Sequence, residues 1–408
     1  MSFIRKAYIY LLIYIFWEFL ITYGRFLGSP MYKHVGFIVT FLVFLVCLLR
    51  TRRLTLTIDG RLWIPFFLLT VMGALVSISP GLMFIWAAAF IVMAIAIDNR
   101  MHEQFPYKLI IVFGAIQMVG QLMQVWLPAV YNGIMNLLLV SDYHHMGTGL
   151  QGFTTQTGMI AIILVYTLGT YICFYASKRT TVFNVVTVLL IYVAIFFTGK
   201  RSASFFALLI PLLVFLLSAK DTKTILKYGV IIVILGGFFS FFAIQNADMY
   251  GDTVGLKKLQ SGVEMFMDED EELDLNGREF LWDAAIRAYE ENPVFGIGID
   301  HYSEWSGIAT VHNMYLQVLC EQGLVGFIPF IIPLAFCFLH TLVVLRRCGE
   351  NSPYLQYLRF SLFVQLYFIL YGFTGNPTHD AYGYVMYFCA IGVFQCCLCD
   401  MKEEGVKC

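Results

Sequence analysis

Residues 324–345 have the sequence LVGFIPFIIPLAFCFLHTLVVL, which contains no Asp, Glu, Lys or Arg. A helix of this length crosses a hydrocarbon core of about 30 Å, since each residue adds about 1.5 Å. Comparable apolar runs recur along the whole chain, near residues 8–26, 35–49, 62–78, 82–97, 108–128, 156–176, 181–198, 202–218, 228–245, 355–373 and 384–400. The sequence therefore predicts an all-α integral membrane protein with about twelve transmembrane helices.

The composition favours one membrane domain over a set of soluble domains. Of the 408 residues, 59% are hydrophobic and 13% are charged, and this charged fraction is about half that of a soluble globular protein. We therefore treat residues 1–408 as a single polytopic domain, in which Arg5 and Lys6 precede an uncleaved first span. The net charge of -1 gives no indication of a nucleic-acid partner. The ten cysteines lie mostly in apolar runs, so we expect reduced packing residues.

The distribution of basic residues predicts the orientation. Most of the 26 Lys and Arg residues fall on one side of the membrane if both termini are cytoplasmic, as the positive-inside rule requires. This topology places one long, acid-rich segment, residues 246–323, outside the membrane between helices 9 and 10. Its acidic run, residues 268–274, lacks a fixed metal-ligand spacing, so a solvated or acceptor-repelling loop is favoured over a cation site.

Lys200 and Arg201 break the orientation rule at a short outside turn between two very apolar helices. Because a basic residue near the membrane costs insertion free energy, its presence needs a reason. One interpretation is an interfacial pair that reaches lipid phosphates. The other is an anion clamp for a lipid-linked phosphate, because a guanidinium matches phosphate oxygens with two parallel hydrogen bonds.

A second block spans residues 276–298, from Asn276-Gly277-Arg278 to Phe295-Gly296-Ile297-Gly298. After Gly277 a helix can begin, with Arg278 in its first turn, and Asn292-Pro293 followed by two glycines ends it in a tight turn. The block predicts an external helix with a basic head, and a plain surface helix is the alternative.

A third block, residues 311–326, includes His312-Asn313 just before a helix that re-enters the membrane. A histidine here is either a structural hydrogen bonder or a base, because a neutral imidazole accepts a proton near neutral pH. Asn313 either caps the helix or orients the ring.

Together these blocks resemble the superfamily of O-antigen polymerases and O-antigen ligases. The resemblance covers about residues 195–345 and is carried by Gly199-Lys200-Arg201-Ser202, by Gly277-Arg278 with Trp282 and Asn292-Pro293-Phe295-Gly296-Gly298, and by His312-Asn313-Tyr315-Leu316 with Glu321-Gly323-Gly326. It implies a helical bundle of the membrane glycosyltransferase C type with a large outside loop. It also implies that Arg201 and Arg278 bind the diphosphate of an undecaprenyl-linked donor, while His312 activates the acceptor hydroxyl in an inverting, metal-independent transfer.

The resemblance implies a glycosyltransferase without a cofactor. Our first expectation is a polysaccharide polymerase that makes O-antigen or capsule by moving a glycan from undecaprenyl diphosphate to a lipid-linked repeat unit. The alternatives are a ligase that transfers finished polymer to a lipid A core, a wall polymer or a protein, and, in another class, a lipid-linked oligosaccharide flippase or transporter. The expected location is the bacterial inner (plasma) membrane, with the site facing the periplasm or exterior. A chain-length regulator is a further expected partner.

Several polar residues are further candidates for substrate binding. Besides the three proposed catalytic residues, the substrate-binding candidates are Lys200, Asn313, Trp282 and His379. His379 with Asp380 could form a second acid/base pair. Gln117, Gln121 and Gln124 lie on one helix face, where helix-to-helix hydrogen bonding competes with a sugar-lined cavity.

Overall fold

The computed structural model describes residues 57–77, 105–138, 149–153, 157–177, 181–219, 278–307, 310–378 and 381–405, together with the single positions 89, 93, 223 and 230. Within these ranges all regular secondary structure is helical. The helices are α1 (Ile58–Leu62), α2 (Ile64–Val76), α3 (Tyr107–Trp126), α4 (Pro128–Leu138), α5 (Thr157–Tyr171, extended by the π-helical turn Ile172–Ala176), α6 (Val182–Phe197), α7 (Arg201–Ser218), α8 (Arg278–Glu291), α9 (Tyr302–Ser306), α10 (Met314–Arg347), α11 (Leu355–Tyr371) and α12 (Ala381–Glu403).

The prediction of an all-α membrane protein is confirmed. In the described part of the chain, six helical segments are long and apolar enough to cross a membrane, and α6 is a shorter apolar helix. Helices occupy the predicted spans near 62–78, 108–128, 156–176, 181–198, 202–218, 324–345, 355–373 and 384–400. The predicted spans at 8–26 and 35–49, and nearly all of those at 82–97 and 228–245, lie outside the described residues. The total of twelve therefore stays a prediction.

The chain divides into two compact units, which we describe separately. The first unit comprises residues 1–7, 37–105 and 274–408, and the second comprises residues 8–36 and 106–273. The first unit thus contains α1, α2 and α8 to α12, and the second contains α3 to α7.

Aromatic side chains form the core of the first unit. Trp63, between α1 and α2, packs edge-to-face against Phe388 of α12 and Phe330 of α10, with ring centroids 5.2 and 6.1 Å apart. Phe368 of α11 joins the same cluster. Nearly all of α12 is buried, as expected of an apolar helix surrounded by other helices.

A buried polar contact joins α1 to the distal half of α10. Asp59 is fully buried, and its carboxylate oxygens lie 3.0 and 3.1 Å from Nδ1 of His340. The imidazole also packs edge-on against Phe394 of α12. Because a buried carboxylate without a partner is costly, this contact fixes how α1 meets α10.

In the second unit, α5 is enclosed by α3, α6 and α7. Tyr107 at the start of α3 stacks on Phe174 in the π-helical turn, with centroids 4.2 Å apart. The sequence did not predict α4, which begins at Pro128 directly after α3 ends. Proline is well tolerated at the first position of a helix, so Pro128 can begin α4 although it could not continue α3.

Candidate functional site

The second and third sequence blocks fold against each other in the first unit. Helix α8 buries Ala284, Ala285 and Ala288 against Tyr302 of α9 and Cys320 of α10. The three alanines recur at helical spacing, so one face of α8 is narrow enough for close packing. The predicted external helix is therefore docked on the beginning of α10.

The two glycine-containing motifs form a single backbone joint. The amides of Ile297 and Gly298 donate to the carbonyls of Cys320 and Glu321, both at 2.9 Å. In return, the amides of Leu324 and Val325 donate to the carbonyls of Pro293 and Val294, at 2.9 and 3.1 Å. The turn after α8 is thus bonded directly to the region where α10 changes direction.

Gly296 and Gly323 make this close approach possible. Both have positive φ, 71° and 58°, a region that side chains disfavour. A Cβ on Gly296 would collide with the backbone of Glu321, and one on Gly323 would collide with the backbone of Val294. Gly323 also interrupts the regular helical conformation of α10, just before the predicted span that begins at residue 324.

His312 is exposed in a constrained backbone conformation. Its φ is 54°, in the left-handed region that non-glycine residues enter at a cost of about 1 kcal/mol. The flanking Val311 and Asn313 are both buried. Asn313 caps α10, since its Oδ1 accepts from the amides of Tyr315 and Leu316 at 3.0 and 3.2 Å. Of the two roles expected for Asn313, the cap is the one present.

Arg278 and the His312 segment are bonded to one turn, residues 372–378. The amide of Met314 donates to the carbonyls of Gly372 and Gly375, at 2.7 and 3.1 Å. Nη1 of Arg278 donates to the carbonyl of Thr374 at 3.1 Å. The structure therefore brings Arg278 and the segment two residues after His312 to the same turn.

Arg278 is a partly buried cation. Loss of hydration lowers its pKa, and the neighbouring Tyr371 opposes this shift to a lesser degree. Guanidinium remains charged under such conditions. Within the described ranges no carboxylate pairs with it. A desolvated guanidinium is stabilised by an incoming anion, so this position suits a phosphate oxygen.

Trp282 lies one turn after Arg278 on α8. Its ring packs beside the alanine face of α8, and its indole Nε1 is buried without a hydrogen-bond partner among the described residues. Packing against this face accounts for the position of the ring. Substrate binding by Trp282 stays a prediction.

Lys200 and Arg201 lie in the second unit, at the turn between α6 and α7. Lys200 occupies the N-cap position of α7 without a side-chain capping hydrogen bond, and Arg201 is the first residue of the helix. The turn is supported by residues 149–153, because the amide of Leu150 donates to the carbonyl of Phe197 at 2.8 Å. The Lys200 stem passes over α5, where a Cβ on Gly158 would lie 3.7 Å from its Cε.

Two glutamines of α3 hold the loop at residues 149–153, and a third contacts α6. Oε1 of Gln117 accepts from the amide of Phe153 at 2.9 Å, and Oε1 of Gln124 accepts from that of Gln151 at 2.8 Å. Nε2 of Gln121 donates to the carbonyl of Ala194 at 3.0 Å. Helix-to-helix hydrogen bonding is therefore found for Gln121, which bonds to the main chain of α6, whereas Gln117 and Gln124 bond to the loop at residues 149–153.

The remaining predicted residue lies outside the described residues. That residue is His379, and its neighbour Asp380 lies outside them as well. Arg278, Trp282, His312 and Asn313 belong to the first unit, whereas Lys200 and Arg201 belong to the second. A pocket shared by Arg201, Arg278 and His312 stays a prediction.

Comparison with known proteins supports the resemblance. Residues 185–331, which include all three blocks, match the family described as O-Antigen ligase (Wzy_C). This segment is similar to the superfamily of O-antigen polymerases and O-antigen ligases. An uncharacterized protein of Haemophilus influenzae is 24% identical over 196 residues, which are 43% of this chain and 48% of that protein. The chain therefore spans about half the length of this Haemophilus influenzae relative.

The sequence interpretation missed two parts of this candidate site. The first is the turn at residues 372–378, whose contribution is made by main-chain carbonyls that carry no sequence signal. The second is Gln317 with Glu321, which are 2% and 3% exposed. Their four-residue spacing on an apolar helix was a visible signal, since it places two polar side chains on one face.

Proposed function

We propose that this chain is a membrane glycosyltransferase that polymerises a bacterial surface polysaccharide. It transfers a glycan from undecaprenyl diphosphate to a lipid-linked repeat unit, on the periplasmic or exterior side of the inner membrane. The observation that carries the proposal is the common anchorage of Arg278 and the His312 segment on residues 372–375. The superfamily match of the same segment supports the reaction class.

The proposed chemistry assigns one task to each charged group. His312 accepts the proton of the acceptor hydroxyl as its oxygen attacks the anomeric carbon from the face opposite the leaving group. The bond between that carbon and the diphosphate oxygen breaks, and the configuration inverts. Arg278, together with Arg201, stabilises the negative charge that develops on the diphosphate. Lys200 is a second cation for the same anion, and no metal ion takes part.

A ligase is the second candidate, because the matched family is described as O-Antigen ligase. A ligase would use the same donor and the same base. Only the acceptor would differ: a lipid A core, a wall polymer or a protein instead of a lipid-linked repeat unit. A strain that lacks the gene separates the two, since loss of a polymerase leaves single units and loss of a ligase leaves long lipid-linked polymer.

The test uses Arg201→Ala, Arg278→Ala and His312→Ala in cells, with Arg287→Ala as the control on an exposed face of α8. A polymerase predicts that the three variants lose polymer while single lipid-linked units still reach the outer leaflet. The control should make normal polymer. Accumulation of units on the inner leaflet would instead support a flippase. Membranes treated with a chelator should keep their activity.

A further inference from the structure

Two buried polar side chains lie behind His312 on α10. Gln317 and Glu321 are one helical turn apart, and both side chains are almost completely inaccessible to solvent. Nε2 of Gln317 donates a hydrogen bond to Oε1 of Glu321. Because a carboxylate only accepts hydrogen bonds, this contact fixes which end of the Gln317 amide faces Glu321.

The other end of the Gln317 amide contacts the residue before His312. Oε1 of Gln317 accepts from the amide of Val311 at 3.1 Å. Val311 is itself fully buried, so its amide would otherwise lack a partner, and an unpaired buried amide is strongly disfavoured. This bond holds the chain on the N-terminal side of His312.

The same oxygen also contacts the turn that holds Arg278. Oε1 of Gln317 accepts from Nδ2 of Asn376 at 3.2 Å. Asn376 follows Thr374, whose carbonyl accepts from Arg278. Gln317 is therefore bonded both to the segment that presents the imidazole and to the turn that anchors the guanidinium.

Glu321 is held in turn by the joint between α8 and α10. Its Oε1 lies 3.4 Å from the amide of Tyr302, and its carbonyl accepts from Gly298 at 2.9 Å. The orientation of the Gln317 amide is thus determined by the packed joint and not by solvent.

We propose that Gln317, oriented by Glu321, is a positioning residue that holds His312 in its left-handed, exposed conformation at a fixed place relative to Arg278. The inference rests on the proposed role of His312 as the base. Val311 before the histidine and Asn313 and Met314 after it are all bonded to fixed partners. Displacement of a reacting group by about 1 Å can lower a rate about 100-fold.

The test compares Gln317→Leu, Gln317→Glu and the exchange variant Gln317→Glu with Glu321→Gln. The leucine removes all three side-chain hydrogen bonds of Gln317, and the single glutamate places two carboxylates together. The exchange variant keeps net charge and composition. It restores one donor and one acceptor between the two positions, and it leaves a carboxylate oxygen to accept from Val311. Full-length protein in lipid vesicles is assayed with lipid-linked glycan extracted from cells that lack the gene.

We expect both single variants to lower kcat about 100-fold while KM changes by less than about twofold. The exchange variant should recover most of kcat. If it stays as inactive as the single variants, or if Gln317→Leu keeps wild-type kcat, the positioning role is wrong. Recovery would also exclude a direct role for the Glu321 carboxylate, because the exchange moves that charge to position 317.

Amide hydrogen exchange of the peptide containing residues 310–314 separates this inference from the proposed function. The Val311 amide should exchange faster in Gln317→Leu and return to slow exchange in the exchange variant, whatever reaction the protein catalyses. If His312→Ala stays active, the proposed base is wrong even when this exchange pattern is found. If His312→Ala is inactive but exchange is the same in every variant, the positioning role alone is wrong.

Discussion

Nη1 of Arg278 lies 3.1 Å from the carbonyl oxygen of Thr374, although the two residues are 96 positions apart in the sequence. This bond fastens the first turn of α8 to the connection between α11 and α12. The neighbouring carbonyls of Gly372 and Gly375 hold the amide of Met314 at the beginning of α10. Arg278 of α8 and the segment that contains His312 and Met314 are thereby held on one short turn.

Replacing Arg278 by Lys should lower the rate of polymer formation by at least about 100-fold, since loss of one preorganised donor has this effect at anion-stabilising sites. Lysine keeps the charge but cannot donate to Thr374 and to a phosphate with the same planar fork. Initial rates on extracted lipid-linked glycan measure the effect. Arg287→Lys on the exposed face of α8 is the matched control and should be fully active. Equal rates for the two variants would show that the site needs only charge.

His312→Asn should fold normally and lose activity. Asparagine adopts the left-handed conformation more readily than most residues, so the free energy of unfolding should change by less than about 0.5 kcal/mol. It lacks a basic nitrogen, and loss of a general base costs at least about 100-fold in rate. His312→Val should instead be destabilised by more than about 1 kcal/mol, because a β-branched residue resists a φ of 54°. Thermal unfolding in detergent measures stability. Wild-type activity of the asparagine variant would exclude His312 as the base.

Gly296→Ala should disrupt the joint between α8 and α10. Gly307 provides the control, because its φ of 66° is similar but a Cβ there would lie more than 4 Å from every described residue other than its two chain neighbours. Gly307→Ala should cost about 1 kcal/mol for backbone conformation alone. Gly296→Ala adds a collision with the backbone of Glu321, and we expect about 2 kcal/mol more. A similar melting temperature for both variants would mean that the joint is looser than its hydrogen bonds indicate.

Much of the fold follows from the sequence, for a physical reason. Lipid requires each spanning segment to satisfy its own backbone and to be apolar along its length, so the run at residues 324–345 was recognisable without tertiary information. The structure breaks α10 at Gly323, directly before that run. Helix α4 was missed because Pro128 is a helix breaker inside a helix but a good first residue.

The site was less predictable because its bonds join distant main-chain groups. The motif at residues 292–298 and the one at residues 321–326 were found as separate signals, and only the structure shows that they form one joint. The positive φ of His312 and the carbonyl of Thr374 have no sequence signature. The role of Gln317 was readable only once Val311 and Asn376 were placed beside it.

Asp59 and His340 should contribute to stability but not to transfer. Their contact lies 17 residues beyond the break at Gly323, which is about 25 Å along the second part of α10. Asp59→Ala should destabilise the protein by about 2–3 kcal/mol, since the partly exposed imidazole of His340 loses its fully buried acceptor. His340→Ala and the double variant complete a cycle, in which the second substitution should add less than the first. The folded fraction should keep normal kcat, and a large loss of kcat would contradict a purely structural role.

The proposed transfer requires one lipid-linked diphosphate to bind both Arg201 and Arg278. Photo-crosslinking tests it most directly, with p-benzoylphenylalanine replacing one phenylalanine at a time in cells that contain the lipid-linked glycan. Phe205 follows Arg201 by one turn of α7, and Phe373 adjoins Thr374. The control is Phe183, at the opposite end of the α6–α7 hairpin. The side chains of Phe205, Phe373 and Phe183 are 58%, 52% and 74% exposed, so each can carry a crosslinker. We expect glycan-lipid adducts at positions 205 and 373 and none at 183. Adducts at only one of the first two positions, or equally at all three, would contradict a shared site.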